Sequence, residues 1–166
     1  MTIALTVLLV STSIAAAIDV RSRTIPNALT AAAALAALAV HAPAGLAAVA
    51  FSVATMIVIF LIGSVAFAAG WLGGGDVKLI AAACGLVGYG GTPWLVADIL
   101  IAGAVLVIVS AAARGRLFTL FRTTAAVAMH GAVPVRAHAV PYGLAIAAGS
   151  AVYTATIVVP FLRFSV

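Results

Sequence analysis

Residues Leu46 to Ala69 read LAAVAFSVATMIVIFLIGSVAFAA, without one charged side chain. As an α-helix this run would be about 36 Å long, enough to cross the ~30 Å hydrocarbon core of a bilayer. In hydrocarbon every backbone N–H and C=O must be satisfied within the protein, which leaves helices or closed barrels. Barrel strands alternate polar and apolar residues. Neither Phe51–Ile62 nor Ala31–Val40 alternates. An all-α, polytopic membrane protein is therefore expected.

The rest of the chain is built in the same way. Of its 166 residues, 66% are hydrophobic and 7% charged, whereas a soluble domain carries about 25% charged residues. So few charges cannot cover a globule with a polar surface. Working outward from Leu46, the apolar runs are Ile3–Ile18, Ala28–Val40, Leu46–Ala69, Val77–Val87, Trp94–Ala113 and Ala139–Leu162. They predict about six transmembrane helices in a single domain over residues 1–166. Ala15-Ala16-Ala17 has the small residues of a signal-peptide cleavage site, but the basic residues follow the first run instead of preceding it. That order favours a retained helix. Thr24 is expected to cap the second helix, with Pro26 in its first turn. His41–Gly45 and Gly88–Pro93 read as turns, and Leu117–Met129 as an amphipathic helix at the interface.

The net charge is +5, from eight Lys and Arg against three Asp. A basic chain can signal nucleic acid. Here the cations sit mainly in short loops between apolar runs, which is the positive-inside pattern, and no nucleic-acid partner is expected. If the spans alternate, one side receives Arg21, Arg23, Lys78, Arg114, Arg116, Arg122 and Arg136, and the other only Arg163. The first side is then cytoplasmic and both termini lie outside. Asp19 and the Gly-rich turn before Asp76 fall on that same cytoplasmic side.

The acids are Asp19, Asp76 and Asp98. A carboxylate at membrane depth is costly and is a functional candidate by default. Singly, Asp19 or Asp76 would read as a solvated charge, a helix cap, or a partner of Arg21, Arg23 or Lys78. Their surroundings change that. Gly73-Gly74-Gly75 directly precedes Asp76. Glycines let another backbone approach closely, as an extended substrate must beside a protease's acid. Two carboxylates in one site repel, so one holds a proton while the other is ionised. The ionised acid can take a proton from an attacking water, and the protonated one can donate to the carbonyl oxygen or leaving amine. Either acid can fill either role. No metal or other cofactor is expected: Cys84 stands alone, His130 and His138 read as interface residues, and His41 falls on the opposite side. Asp98 lies within the fifth run, far from the other two, and reads as a local packing or hydrogen-bonding residue.

Asp19 followed by Ile25-Pro26-Asn27, and then Gly73-Gly74-Gly75-Asp76-Val77-Lys78-Leu79, resembles the type IV prepilin peptidases of the GxGD class of membrane aspartyl proteases. Val140-Pro141-Tyr142-Gly143 resembles that family's Pro-rich start to its final helix. The resemblance implies a catalytic pair, Asp19 and Asp76. It implies roles in substrate binding or loop support for Gly73, Gly74, Gly75, Lys78, Pro26 and Asn27. The substrate would be a prepilin or prepilin-like precursor in a bacterial inner membrane. Its short basic leader would be cut at the cytoplasmic face. Larger members carry a cysteine-containing segment associated with N-methylation, and there is no room for it between Ile18 and Thr30. The chain is similar to the short, peptidase-only branch of Tad/Flp pilus systems, so methyltransferase activity is expected to be absent. Two other classes use the same residues differently. An ion-coupled transporter would place its acids near the midplane on broken helices. A non-catalytic assembly subunit would use the glycines for helix packing.

Overall fold

The computed structural model describes residues 2–115 and 141–159. Within them the chain forms α1 (Thr2–Ser22), α2 (Asn27–His41), a short 3-10 turn at Ala42–Ala44, α3 (Leu46–Ala68), α4 (Gly74–Ala113) and α5 (Tyr142–Val158). Four stretches are long and apolar enough to cross a membrane: α1, α2 together with the 3-10 turn that extends it to Ala44, α3 and α4; α5 is a shorter apolar helix. The expected interfacial helix Leu117–Met129 lies outside the described residues, as do His130, His138 and Arg163.

The burial pattern is that of a bundle in lipid. On α3 the buried residues are Ser52 and Thr55, while Phe51, Ile57, Leu61 and Val65 face outward. Large apolar side chains gain nothing by leaving lipid, so small residues occupy the helix contacts. The tightest packing, at Leu8, Leu79, Leu86, Leu95, Ile99 and Ile146, joins α1, α4 and α5.

Two local expectations are corrected. The first helix continues past Ile18 through Asp19 to Ser22. Nothing there breaks a helix, and the Ser22 hydroxyl donates back to the Ile18 carbonyl at 2.9 Å. The turn comes at Arg23, whose φ is 53°. Thr24 does not cap α2; its hydroxyl donates to Ser22 Oγ. Pro26 itself occupies the N-cap position, with extended backbone. Proline disfavours helical backbone in the residue before it, so α2 cannot begin at Ile25.

A straight helix as long as α4 would measure about 60 Å, twice the hydrocarbon thickness. It does not run straight. Gly88 has φ 73° and ψ 175°, a conformation almost confined to glycine. At the start of the first arm of α4, Gly75 lies against Ile25; on the far side of Gly88, Gly103 lies against Tyr142, whose neighbour Gly143 lies against Asp19. Both sides of Gly88 therefore reach the Asp19 end of the bundle, and α4 doubles back at Gly88 into two antiparallel arms. The first arm packs on α3, with Val77 on Gly63 and Gly85 on Met56. The second packs on α5, with Ile99 on Gly149.

The loop expected over Gly88–Pro93 thus shrinks to one residue, and Pro93 stands inside the second arm. Ending the first arm strips carbonyls of their helical donors. Side chains replace them. Ser52 Oγ donates to the Gly85 carbonyl at 2.9 Å, and His41 Nε2 lies 3.1 Å from the same oxygen. The Thr92 hydroxyl donates to the Gly88 carbonyl at 2.8 Å.

The fold-back makes a discriminating prediction. Gly88→Ala, forced into a glycine conformation, should lose about 1–3 kcal/mol of stability. Gly90→Ala, where a Cβ meets nothing within 4 Å, should be neutral or slightly stabilising. Thermal unfolding in detergent micelles, followed by circular dichroism, reads both. Equal shifts would contradict the turn at Gly88.

Candidate active site

Asp19 sits in the last turn of α1 with 7% of its surface exposed. A negative charge at a helix C-terminus is opposed by that helix's own dipole, so it needs donors from elsewhere. The donor comes from α5. The Gly143 N–H donates to Asp19 Oδ2 at 2.9 Å. Pro141 occupies the N-cap position of α5 and offers no side-chain cap. Gly143, the second residue of the helix, is among the N–H groups left without an intrahelical acceptor. The Asp19 carboxylate supplies that acceptor across the bundle, at an end where the dipole favours an anion. The approach requires glycine, because a Cβ at 143 would lie 2.9 Å from Asp19 Cβ and 3.0 Å from its Oδ2.

Asp76 is the third residue of α4 and is half-buried. Its Oδ2 accepts the Gly73 N–H at 3.2 Å, which is the carboxylate half of a capping box. Gly73 has no side chain to make the other half. A Cβ there would sit 2.7 Å from Asp76 Oδ2. At Gly75 a Cβ would lie 3.0 Å from Ile25 Cβ and 3.3 Å from the Ile25 carbonyl oxygen. The glycines thus have separate tasks: Gly73 leaves room for the carboxylate, and Gly75 lets the α1–α2 connection close on the start of α4. Gly74 faces the Phe67 ring.

The two acids, far apart in sequence, come within electrostatic reach of one another. The Tyr142 phenol is also within reach of the Asp76 charge, and its ring rests on Gly103. Each carboxylate accepts a backbone N–H through Oδ2, and among the described residues Oδ1 takes no hydrogen bond. Such a pair can share a proton and act on a water held between them.

The remaining sequence candidates form a second cluster beside the acids. Lys78 Nζ donates to Asn27 Oδ1 at 2.8 Å. The Pro26 carbonyl accepts the N–H groups of Leu29 and Thr30, starting α2. Two residues along a helix turn the side chain by about 200°, so Lys78 points away from Asp76. Cys84 is buried in the core. Among the described residues no three His, Cys, Asp or Glu are grouped to hold a metal ion. Gly143 and Tyr142 were not among the site residues read from the sequence. The signal was Pro141 opening an apolar run, which marks a helix start but not what caps it.

Residues 6–113 match the model of the type IV leader peptidase family. The match takes in Asp19, Pro26, Asn27, the Gly73–Asp76 turn and Lys78, and ends before Tyr142 and Gly143. Searches of curated proteins and of solved structures returned no match. With well over half of its length matched, and with the acids on α1 and α4 converging at one end of the bundle, the chain belongs to the type IV leader peptidase family.

Proposed function

We propose that this protein is a membrane-embedded aspartyl endopeptidase that removes the leader of prepilin-like precursors, with Asp19 and Asp76 as its catalytic pair. One observation carries this reading: two acids from separate helices converge, each held by a backbone N–H at a helix start. A solvated surface charge needs no such arrangement, and a carrier would use acids nearer the middle of the bundle.

In the reaction, the pair shares one proton. The ionised acid takes a proton from water through its free oxygen as that water attacks the scissile carbonyl. The protonated acid donates to the carbonyl oxygen; the acid that took water's proton then passes it to the leaving amine as the C–N bond breaks, and one hydroxyl of the collapsing diol returns its proton to the other acid. The chain's contribution is positional. Backbone N–H groups fix both carboxylates without occupying them fully.

The basic residues beside the acids argue that the site faces the cytoplasm of a bacterial inner membrane. Six crossings, with the arms of α4 counted separately, and both termini outside are the topology this reading expects. The α1–α2 connection is only a few residues long, with no space for a cysteine-containing methyltransferase segment. The enzyme should therefore cleave without methylating the new N-terminus.

Three outcomes test this. Asp19→Asn and Asp76→Asn should each reduce leader removal by at least about 100-fold, read by gel shift of a co-expressed precursor; cleavage surviving either change would sink the mechanism. Gly143→Ala should lower the rate at least about tenfold by displacing Asp19, with the helical circular dichroism signal retained. Chelators should leave cleavage intact, whereas loss restored by zinc would overturn the metal-free reaction.

A further inference from the structure

On the far side of α4 from the acids, an open groove runs between α2, α3 and the first arm of α4, with a volume of about 460 Å³. Its walls are Ala31 and Ala34 of α2 and Phe60 and Leu61 of α3, and its floor includes Ala82. At one end stand Asn27 and Lys78, joined by their hydrogen bond. Lys78 is the charged residue among the lining.

We infer that this groove is a binding site for an anionic phospholipid, with an acyl chain against the alanines and the phosphate at Lys78 and Asn27. Three features carry it. The first is polarity. The cation lies at the end of the bundle that carries both aspartates, because Asn27 begins α2 just after Ile25, which closes on Gly75. The apolar length then runs inward, as a phospholipid does from headgroup to tail. The second is charge complementarity. An ammonium has three donors, and Asn27 takes one, which leaves two for phosphate oxygens. A positively charged pocket between helices at the membrane edge selects an anionic headgroup. The third is shape. The groove is open along its length and runs about 10 Å between residues 27 and 34 of α2, which is room for the upper part of an acyl chain below a headgroup held at Lys78. The inference does not depend on the peptidase reading, since neither acid lines the groove.

The test uses the full chain in lipid nanodiscs, with Phe60→Trp as reporter in a background carrying Trp71→Phe and Trp94→Phe. Brominated phosphatidylglycerol and brominated phosphatidylcholine are compared at equal mole fraction. Phosphatidylglycerol should quench the reporter several-fold more efficiently, and Lys78→Gln should remove the difference while leaving the shared baseline. Should Phe60→Trp not fold, Ile57→Trp, also in the lining, reports in its place. Equal quenching by the two lipids, or a preference that survives Lys78→Gln, would overturn the proposal. Displacement of the quencher by a precursor's hydrophobic segment, but not by unlabelled phosphatidylglycerol, would reassign the groove to a peptide.

Discussion

A carboxylate with so little exposure as Asp19 is tolerable only because α5 begins against it. The bond from the Gly143 N–H to Asp19 spans most of the chain. It answers two deficits together: a buried anion at the unfavourable end of α1, and an uncapped α5 whose N-cap is proline. Either deficit alone would cost more in a low-dielectric bundle than in water. Joined, they fix where α5 sits along α1, and the buried faces of the two helices follow from that register. Ala16, one turn before Asp19, lies against Gly143.

The fold-back of α4 follows the same economy of backbone groups. A membrane interior supplies no water to satisfy carbonyls freed by a turn. The turn at Gly88 is accordingly surrounded by donors: Ser52 from α3, His41 from the end of α2 and Thr92 from the returning arm. His41 read from the sequence as a residue merely on the side away from the acids. Its position there is what lets it serve the turn, because Gly88 is at the opposite end of the bundle from Asp19. At this turn, polar side chains from three segments gather where the backbone departs from the helix.

Much of this was legible in the residues. Uninterrupted apolar runs gave all-helical spans, since their length and lack of alternation leave no other solution in a bilayer. Gly73–Gly75 before Asp76 announced a close approach, and the structure assigns it to Ile25. Helix ends were less legible. Asp19 fell outside the first apolar run because hydropathy stops at Ile18, yet backbone hydrogen bonding continues to Ser22. Hydropathy also showed two runs flanking Gly88 without showing that a single residue suffices to reverse the chain. The pairing of Asp19 with Gly143 could not be read at all. It depends on which helices become neighbours, and local sequence does not encode that.

The two acids are held by different means, and this bears on how the site assembles. Asp76 is fixed within its own first turn, by a bond to Gly73 that any correctly started α4 will form. Asp19 is fixed only when α1 and α5 are docked. The separation of the carboxylates therefore depends on how the α1–α5 pair sits against α4. At that seam Gly149 meets the backbone of Asp98 and Ile99 with no side chain intervening. Asp98 has its place here: its backbone, not its carboxylate, forms the contact that sets the distance between helices. Backbone-to-backbone packing is stiff, because no rotamer can adjust to absorb a shift. The proposed reaction, in which two carboxylates share a proton, demands such stiffness, since hydrogen-bond reach is lost within about 1 Å. The glycines of α5 thus act from two positions: Gly143 by holding Asp19, and Gly149 by holding the helix that carries Gly143 against the returning arm of α4.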